Sequence, residues 1–265
     1  SKYFKDAVKA TPNIPDSASW ATFLRVHDEL TLEMVTPEMR QLIYDELEPK
    51  GAPFRKGFGV SGRMANFLDE DHDHIAMAFS VLLSMPGIPI IYYGDEIGAK
   101  NNYDNAQKSA NIRKKKSFKS KIKLLSFFDS RDINRGTLTK DVFYDATTTT
   151  KTYSGKIFHK VQKMVELRKE IPALRRGALT VLKTENPWTF AYIRSYKGEK
   201  YLIVNNLSDK RYTAEVELPA DVYLKAIKEA KFAHLNKVST LQNPAFLHNS
   251  LFSFSLYGIK TFSNA

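Results

Sequence analysis

Residues 23–36 read FLRVHDELTLEMVT, and this stretch decides the fold class. Phe23 and Leu24 form a short apolar run that predicts a buried strand, and His27 and Asp28 follow where the run gives way to charge. In sheets of parallel strands, side chains at the carboxyl ends of the strands line a cleft. The pattern therefore favours a functional Asp28. The alternative is that His27 and Asp28 are an ordinary capping pair at a strand-to-loop turn.

Residues 87–98 read GIPIIYYGDEIG and form the second informative stretch. Apolar residues at helical spacing precede it and predict an amphipathic helix over residues 71–85, with acidic residues at its start, where the helix dipole favours negative charge. Residues 88–93 are apolar throughout, which predicts a strand buried on both faces. The order is therefore strand, helix, strand, and Asp95 and Glu96 lie in the turn that follows.

Together, the two stretches resemble the last two barrel strands of the α-amylase family of glycoside hydrolases, and the longer one is most similar to the trehalose synthase and α-glucosidase branch. The resemblance implies an α/β plus β fold. Its first part would be the C-terminal portion of a (β/α)8 TIM barrel, with the last two strands and helices, and an antiparallel β-sandwich would follow.

The resemblance also implies roles for two residues. Asp28 matches the third carboxylate of the family, which holds sugar hydroxyls beside the scissile bond more tightly in the transition state. His27 would bind the same sugar. Val26 departs from the family pattern, which most often has Asn at this position, so one polar contact near the sugar would be missing.

The nucleophile and the acid of the resembled family come from two earlier strands that have no counterpart in this sequence, and its Gly-Asp-Glu turn is chiefly architectural. Spacing alone would also allow Asp28 and Glu96 to act as a pair, since adjacent strands lie about 4.8 Å apart and retaining glycosidases place their carboxyls about 5 to 5.5 Å apart. A complete barrel takes about 200 to 250 residues, and only residues 1–175 precede the change of character. We therefore expect a C-terminal part of a larger polypeptide, with the remainder of the barrel in the same or another chain. A reduced fold is the other possibility.

Composition is that of an ordinary globular protein, with 43% hydrophobic and 26% charged residues and no cysteine. No apolar run approaches the 18 or so residues of a membrane span, and no signal-peptide pattern is seen, so we expect no membrane partner. The lack of cysteine excludes disulfides and thiolate metal sites and suits the cytoplasm. Glycine-rich phosphate loops and a Ser-His-Asp pattern are absent, and we expect no cofactor.

Of the net charge of +11, residues 1–175 carry +6, with 28 basic and 22 acidic side chains, and one stretch accounts for this excess. Residues 108–123 hold eight basic residues and no acidic one, within a predicted insertion over residues 104–125. We favour a solvated loop there. Binding of an anionic polymer, a membrane surface or a partner subunit is the alternative. Nucleic-acid modules usually interleave stacking aromatic residues, and only Phe118 interrupts this run, so a nucleic-acid partner is not expected.

Residues 126–136 read SFFDSRDINRG and resemble an Asp-x-Arg-x-x-x-Arg-Gly stretch found near the acceptor-sugar side of the cleft in some α-amylase relatives. Arg131 and Arg135 are therefore predicted to bind substrate, because a planar guanidinium can bridge two hydroxyls or pair with a catalytic carboxylate. The alternative is that salt bridges from Asp129 to Arg131, or from Asp132 to Arg135, only hold the loop.

Residues 69–74 read DEDHDH and offer hard ligands for a metal ion. Consecutive side chains at a helix start are expected to diverge around the helix axis, and the spacing matches no metal-binding loop. The sequence therefore predicts no metal site.

The last barrel helix is predicted over residues 156–169, and the pattern of the sequence changes from helical to strand-like after residue 175. Short runs rich in β-formers then predict a small antiparallel sandwich over residues 176–265, similar to the C-terminal β-domain of the same glycosidases, which does no chemistry. Residues 220–247 could hold a helix or a loop. The aromatic residues of this part are predicted to be core residues, although a carbohydrate platform is the alternative. They are Trp188, Tyr192, Tyr196 and Tyr201.

The sequence thus predicts part of a retaining enzyme that acts on α-glucosides such as maltose, trehalose or a short α-glucan. The reaction would be hydrolysis or trehalose synthase-type isomerisation. Asp28, His27 and part of the acceptor wall would come from this chain, which alone would be inactive. The alternative is a non-catalytic fragment that binds a carbohydrate or a partner.

Overall fold

The computed structural model describes residues 2–15, 17–117, 123–208 and 210, and it gives the backbone alone for residues 213–217, 225–226, 251–255 and 261–263. The helix or loop predicted over residues 220–247 lies outside the described residues, except for a two-residue strand.

The helices are α1 (Lys2–Ala10), α2 (Pro37–Leu47), α3 (Met64–Phe67), α4 (His72–Ser84), α5 (Tyr103–Lys116), α6 (Lys140–Thr148), α7 (Tyr153–Glu170) and α8 (Pro172–Arg176). The strands are β1 (Ala21–Phe23), β2 (Leu30–Thr31), β3 (Ala52–Phe54), β4 (Gly59–Ser61), β5 (Ile88–Ile90), β6 (Ala178–Val181), β7 (Thr189–Tyr196), β8 (Glu199–Asn206), β9 (Thr213–Glu217), β10 (Lys225–Ala226), β11 (Leu251–Ser255) and β12 (Thr261–Ser263). Short 3-10 turns cover Glu48–Lys50, Arg55–Gly57, Asp95–Ile97, Leu124–Phe127 and Ser130–Asn134.

The chain divides into two compact units, each assembled from separated segments. The first contains residues 1–22, 77–89 and 163–265, and the second contains residues 23–76 and 90–162. The division of the chain into domains at residue 176 stays a prediction.

In the first unit, antiparallel strands form one sheet in the order β10-β12-β8-β7-β6 and a second sheet of β11 and β9. Alternation of apolar residues in β7 and β8 buries Phe190, Tyr192, Tyr201 and Ile203 in one cluster, and Tyr196 packs against it. The prediction that these tyrosines are core residues is therefore confirmed. Trp188 differs, since it is exposed.

Two buried arginines hold the carboxyl end of α4 in the first unit. Arg168 donates to the carbonyls of Leu83 (2.7 Å), Met85 (3.1 Å) and Gly87 (2.6 Å). Arg194 donates to the carbonyl of Ser84. These guanidinium groups satisfy carbonyls that the end of a helix leaves without intrahelical partners.

The predicted helix over residues 71–85 is confirmed as α4. Ile75, Phe79 and Leu82 lie on its buried side, as the helical spacing requires. The Asp71 carboxylate accepts hydrogen bonds from the backbone amides of Asp73 (2.7 Å) and His74 (2.9 Å), which caps the start of the helix.

Strands β1 and β5 pair in a two-stranded sheet, as the predicted order of strand, helix and strand requires. The Ile88 amide donates to the Trp20 carbonyl at 2.8 Å. The expected burial on both faces is wrong, because Phe23 is 53%, Ile88 61% and Ile90 42% exposed. These two strands have only each other as partners among the described residues, so their outer faces stay uncovered.

The second unit carries a small antiparallel sheet in the order β2-β4-β3. Its core includes Ala52, Ala106 and Ile133, with Phe128 packed against them. The loop expected for the basic stretch is wrong as far as residue 116, because that part forms α5. Ala106 and Ala110, four residues apart, bury one side of this helix. Among the described residues, no helix is both long and apolar enough to cross a lipid bilayer.

Candidate functional site

The Asp28 carboxylate is the centre of a charged cluster in the second unit. Arg135 Nη2 donates to Asp28 Oδ1 at 2.9 Å, and Arg131 Nη1 lies 3.6 Å from the same oxygen. His27 Nε2 lies 3.2 Å from the other oxygen, Oδ2. The side chain of Asp28 is 43% exposed, so the carboxylate is held on one side and open to solvent on the other.

Arg131 is fixed mainly by Asp129. Its Nε and Nη2 donate to the two carboxylate oxygens of Asp129, each at 2.9 Å. The bidentate hydrogen bond from Arg131 lowers the pKa of Asp129 and raises that of Arg131. The predicted alternative of an Asp129–Arg131 salt bridge is therefore present. It coexists with the contact to Asp28, because Nη1 remains directed to that carboxylate.

Arg135 does not pair with Asp132, as it would if it only held the loop. Its Nε donates to the His27 carbonyl at 2.9 Å, so one guanidinium group holds both members of the His27-Asp28 pair. Asp132, the alternative partner, is instead bound by Arg113 of α5. The predicted Asp132–Arg135 salt bridge is wrong, because the carboxylate of Asp132 is buried beside α5.

A buried arginine lies beneath the His27-Asp28 turn. Arg25 is 6% exposed and donates to the carbonyls of Asp28 (2.7 Å) and Gly62 (3.0 and 2.8 Å). Its guanidinium lies 5.3 Å from the centre of the Phe67 ring. Burial lowers the pKa of Arg25 to about 10, and the nearby Asp95 and Glu29 oppose that shift. The backbone of Asp28 is thus fixed from below.

Sequence reasoning missed Arg25 as a site residue, although a signal was present. A basic residue that interrupts an apolar run, as Arg25 does between Leu24 and Val26, is unusual in a protein interior unless its charge is satisfied. Asn134 was also missed. It is 1% exposed, and its amide nitrogen can face the His27 carbonyl at 3.1 Å, with its oxygen 3.3 Å from Arg25 Nη2.

Asp95, in the turn after β5, belongs to a second buried charge pair. Arg63 Nη1 lies 3.4 Å from Asp95 Oδ1, and both side chains are almost fully buried. The guanidinium of Arg63 lies 4.7 Å from the centre of the Tyr92 ring and 4.8 Å from the centre of the Tyr93 ring. Burial raises the pKa of Asp95 to about 7, against the opposing effect of Arg63.

Two carboxylate oxygens near these charges have no hydrogen-bond partner within the part of the chain that the structure describes. They are Oε2 of Glu29 and Oε2 of Glu96, and both atoms are buried. Each is one residue beyond the aspartate of its turn, Asp28 or Asp95.

The acidic segment before α4 is more compact than expected. One ligand atom each of Asp71, His72 and Asp73 lies within 4.8 Å of the others, so the predicted divergence is wrong for these three. Asp71 already caps α4, and Asp73 is paired with Lys160.

Two family models match this chain. Residues 61–177 match the alpha amylase catalytic domain, and residues 179–246 match the C-terminal domain of maltogenic amylase. Among curated proteins, the chain is 32% identical to a trehalose synthase of Thermus thermophilus over 224 residues, which is 82% of this chain and 22% of that protein. It is 34% identical to the trehalose synthase/amylase TreS of Mycobacterium tuberculosis over 80% of this chain and 36% of that protein. The chain thus spans between about a fifth and two fifths of these relatives.

Solved structures share part of this fold. A sucrose 6F-phosphate phosphorylase from Thermoanaerobacter thermosaccharolyticum aligns with a TM-score of 0.55 at 16% identity, covering 74% of this chain and 38% of that one. The maltogenic α-amylase AmyB of Thermotoga neapolitana aligns with a TM-score of 0.53 at 13% identity, covering 95% and 42%.

Proposed function

Because the chain belongs to the α-amylase family of glycoside hydrolases and is similar to trehalose synthases, we propose that it is part of a retaining enzyme that acts on α-glucosides. Maltose, trehalose and short α-glucans are the proposed substrates. Transfer between hydroxyls of one sugar pair, as in trehalose synthesis, and plain hydrolysis would differ in how well the closed site excludes water.

The main support for the proposal is the way in which the Asp28 carboxylate is held and exposed. It is held on one side by Arg135 and Arg131, and it is 43% exposed on the other. A carboxylate fixed in this way is a preorganised acceptor, so it can receive two sugar hydroxyls without first having to be oriented. Hydrogen bonds to a charged acceptor are the strong ones, and they strengthen as the sugar ring flattens.

Contacts of the other residues support the roles that we propose for them. His27 lies beside Asp28 with 63% of its side chain exposed, so it can donate to the same sugar. Arg135 holds Asp28 and the His27 carbonyl, and Arg131 is held by Asp129. Both arginines therefore act on the sugar chiefly by positioning Asp28, and their outer N–H groups form the acceptor side of the site.

The nucleophile and the acid are proposed to come from two other strands of the complete barrel, in the same polypeptide or in a partner chain. The family supplies both from strands that precede the His-Asp turn. Asp28 alone can bind and orient a sugar, but the double displacement also requires a carboxylate that attacks the anomeric carbon and an acid that protonates the leaving oxygen.

Binding of maltose to the purified chain, measured by calorimetry with and without Asp28→Asn, tests the proposed sugar site. We expect Asp28→Asn to weaken binding roughly fivefold, because it replaces charged hydrogen bonds by neutral ones worth roughly 1 kcal/mol less. Asp141→Asn, on an exposed turn of α6, is the matched control and should bind like the parent chain. Equal affinities of the parent chain and Asp28→Asn would refute the assignment of Asp28.

A non-catalytic carbohydrate-binding or partner-binding fragment is the second candidate. Val26 favours it, because an apolar side chain occupies the position at which the family has a polar one. This candidate predicts the same loss of binding in Asp28→Asn. The two candidates differ in the expected effect of Val26→Asn. In a non-catalytic fragment this substitution should leave the affinity for maltose unchanged. In an enzyme site that lacks one polar contact it should add a contact to the sugar and tighten binding several-fold.

A further inference from the structure

One side of α5 exposes a row of lysines. Lys108, Lys115 and Lys116 are all exposed, and Ile112 lies between them along the helix. Residues three and four apart lie on the same side of a helix, so Lys108, Ile112, Lys115 and Lys116 form one continuous surface. We call these four residues the lysine face. Ile112 is 53% exposed at its centre.

Helix α5, which carries the lysine face, is anchored by its opposite side. Ala106 and Ala110 are buried on its opposite side. Arg113 donates to the Phe127 carbonyl at 2.8 Å and to the carboxylate of Asp132. The one arginine of the helix is therefore used to anchor it, and the lysines are left directed outwards.

The lysines of the face have no acidic partner within the described ranges 2–15, 17–117 and 123–208. Lysines in the last turn stabilise the helix dipole, which explains Lys115 and Lys116 in part. It does not explain Lys108, which lies two turns earlier, or the exposed Ile112. An apolar residue surrounded by charges has the anatomy of a protein interface, with an apolar centre and a charged rim.

We propose that the lysine face docks an acidic protein segment that carries an apolar residue among its carboxylates. The carboxylates would pair with Lys108, Lys115 and Lys116, and the apolar residue would cover Ile112. A phosphate polymer fits less well, because it has nothing to cover Ile112 and finds no aromatic residue on the face to stack against its bases. Tyr103 lies nine residues from Ile112 on the far side of the helix and donates to the Gly51 carbonyl.

The test uses the full chain and two fluorescein-labelled peptides, one of alternating glutamate and leucine and one of glutamate alone, matched in charge. Fluorescence anisotropy at physiological salt gives each affinity. The triple variant K108Q/K115Q/K116Q removes the charges of the face. The variant K140Q/K151Q/K156Q removes the same number of exposed lysines elsewhere and is the matched control. Ile112→Ser probes the apolar centre.

We expect the face variant to bind the glutamate-leucine peptide about tenfold more weakly, since three exposed ion pairs are lost. The control triple should stay within about twofold. Ile112→Ser should weaken binding of the glutamate-leucine peptide and leave polyglutamate unchanged. Equal losses in the two triples, or no effect of Ile112→Ser, would overturn the proposal. Tighter binding of a single-stranded oligonucleotide or of anionic lipid vesicles than of the peptide would also overturn it.

Discussion

Among single residues, Arg135 is central to the candidate site because its one guanidinium group binds two neighbouring residues. Arg135 reaches the Asp28 carboxylate through Nη2 and the His27 carbonyl through Nε, each at 2.9 Å. This geometry uses the planar fork of arginine and cannot be reproduced by the single ammonium group of lysine. Arg135 is therefore expected to fix the orientation of Asp28, which a charge alone would not do.

Arg135→Lys is predicted to weaken maltose binding roughly fivefold, because the loss of one hydrogen bond to a half-exposed charged group is worth about 1 kcal/mol. Arg131→Lys is the comparison, since Arg131 is farther from Asp28, at 3.6 Å. It should cost less in affinity. The reverse order of the two affinities in calorimetry would show that the arginines contact the sugar itself.

Asp95→Asn is predicted to change the pH dependence of stability. Burial raises the pKa of Asp95 from 3.8 to about 7 in the folded chain. Between these two values the folded chain keeps a proton that the unfolded chain has lost, so the contribution of Asp95 is most favourable below 3.8 and is lost as pH rises to about 7. Relative to the parent chain, Asp95→Asn should therefore gain stability over this window, by roughly 4 kcal/mol at most.

Urea unfolding at a series of pH values measures this difference, and titrations shared by both chains cancel in it. Asp145→Asn, on the exposed side of α6, is the control and should give a difference that does not vary with pH. A constant difference for Asp95→Asn would mean that Arg63 keeps the carboxylate ionised throughout.

The sequence identified the four candidate residues of the site only through a family resemblance. His27 and Asp28 are separated by more than a hundred residues from Arg131 and Arg135, and no periodicity links positions that far apart. The structure brings the four side chains together. Arg25 could have been suspected from its position in an apolar run, but its partners, the carbonyls of Asp28 and Gly62, could not be identified before the fold was known.

At the scale of elements, prediction succeeded where the pattern was repeated over several turns. The helix over residues 71–85 was predicted because its apolar positions recur with the period that burial demands. The helix α5 was missed because its buried side is made only of alanines among polar residues. Strand β5 was predicted too long and too buried, because an apolar run gives no information about how many neighbouring strands cover it.

Gly98→Ala is predicted to destabilise the chain by roughly 2 to 4 kcal/mol. Gly98 follows the 3-10 turn after β5 with φ +67°, and an added Cβ would lie 2.4 Å from Ile157 Cδ1 and 2.8 Å from Tyr153 Cε1. Both the positive φ and the overlap with α7 therefore oppose a side chain. The unfolding midpoint in urea measures the effect.

Gly198 provides the control for this substitution. It lies in the turn between β7 and β8 with φ +88°, and nothing lies within 4 Å of an added Cβ. Gly198→Ala should therefore cost only the backbone strain, about 1 kcal/mol. Equal costs for the two substitutions would mean that α7 moves away from the turn without resistance.

For the whole molecule, the sequence predicts an excess of basic residues in one segment and a series of short strands after residue 175. Two family models match residues 61–177 and 179–246, and the division of the chain into two domains stays a prediction. The compact units instead combine segments distant in sequence, which no local pattern could indicate. The partial barrel, and the supply of its other strands by the same or another chain, stay predictions. They depend on the argument that the reaction needs a nucleophile and an acid from those strands.

The isolated chain is predicted to release no nitrophenol from an aryl α-glucoside above the buffer rate, because the proposed site holds one of the three carboxylates that retaining catalysis needs in this family. Asp28→Asn is the control and should give the same background rate. Turnover that Asp28→Asn abolishes would contradict the prediction and would revive the pairing of Asp28 with Glu96, whose Oε2 is buried without a hydrogen-bond partner in the described part of the chain. Glu96→Gln would then decide, since it should abolish that turnover only if Glu96 acts in the reaction.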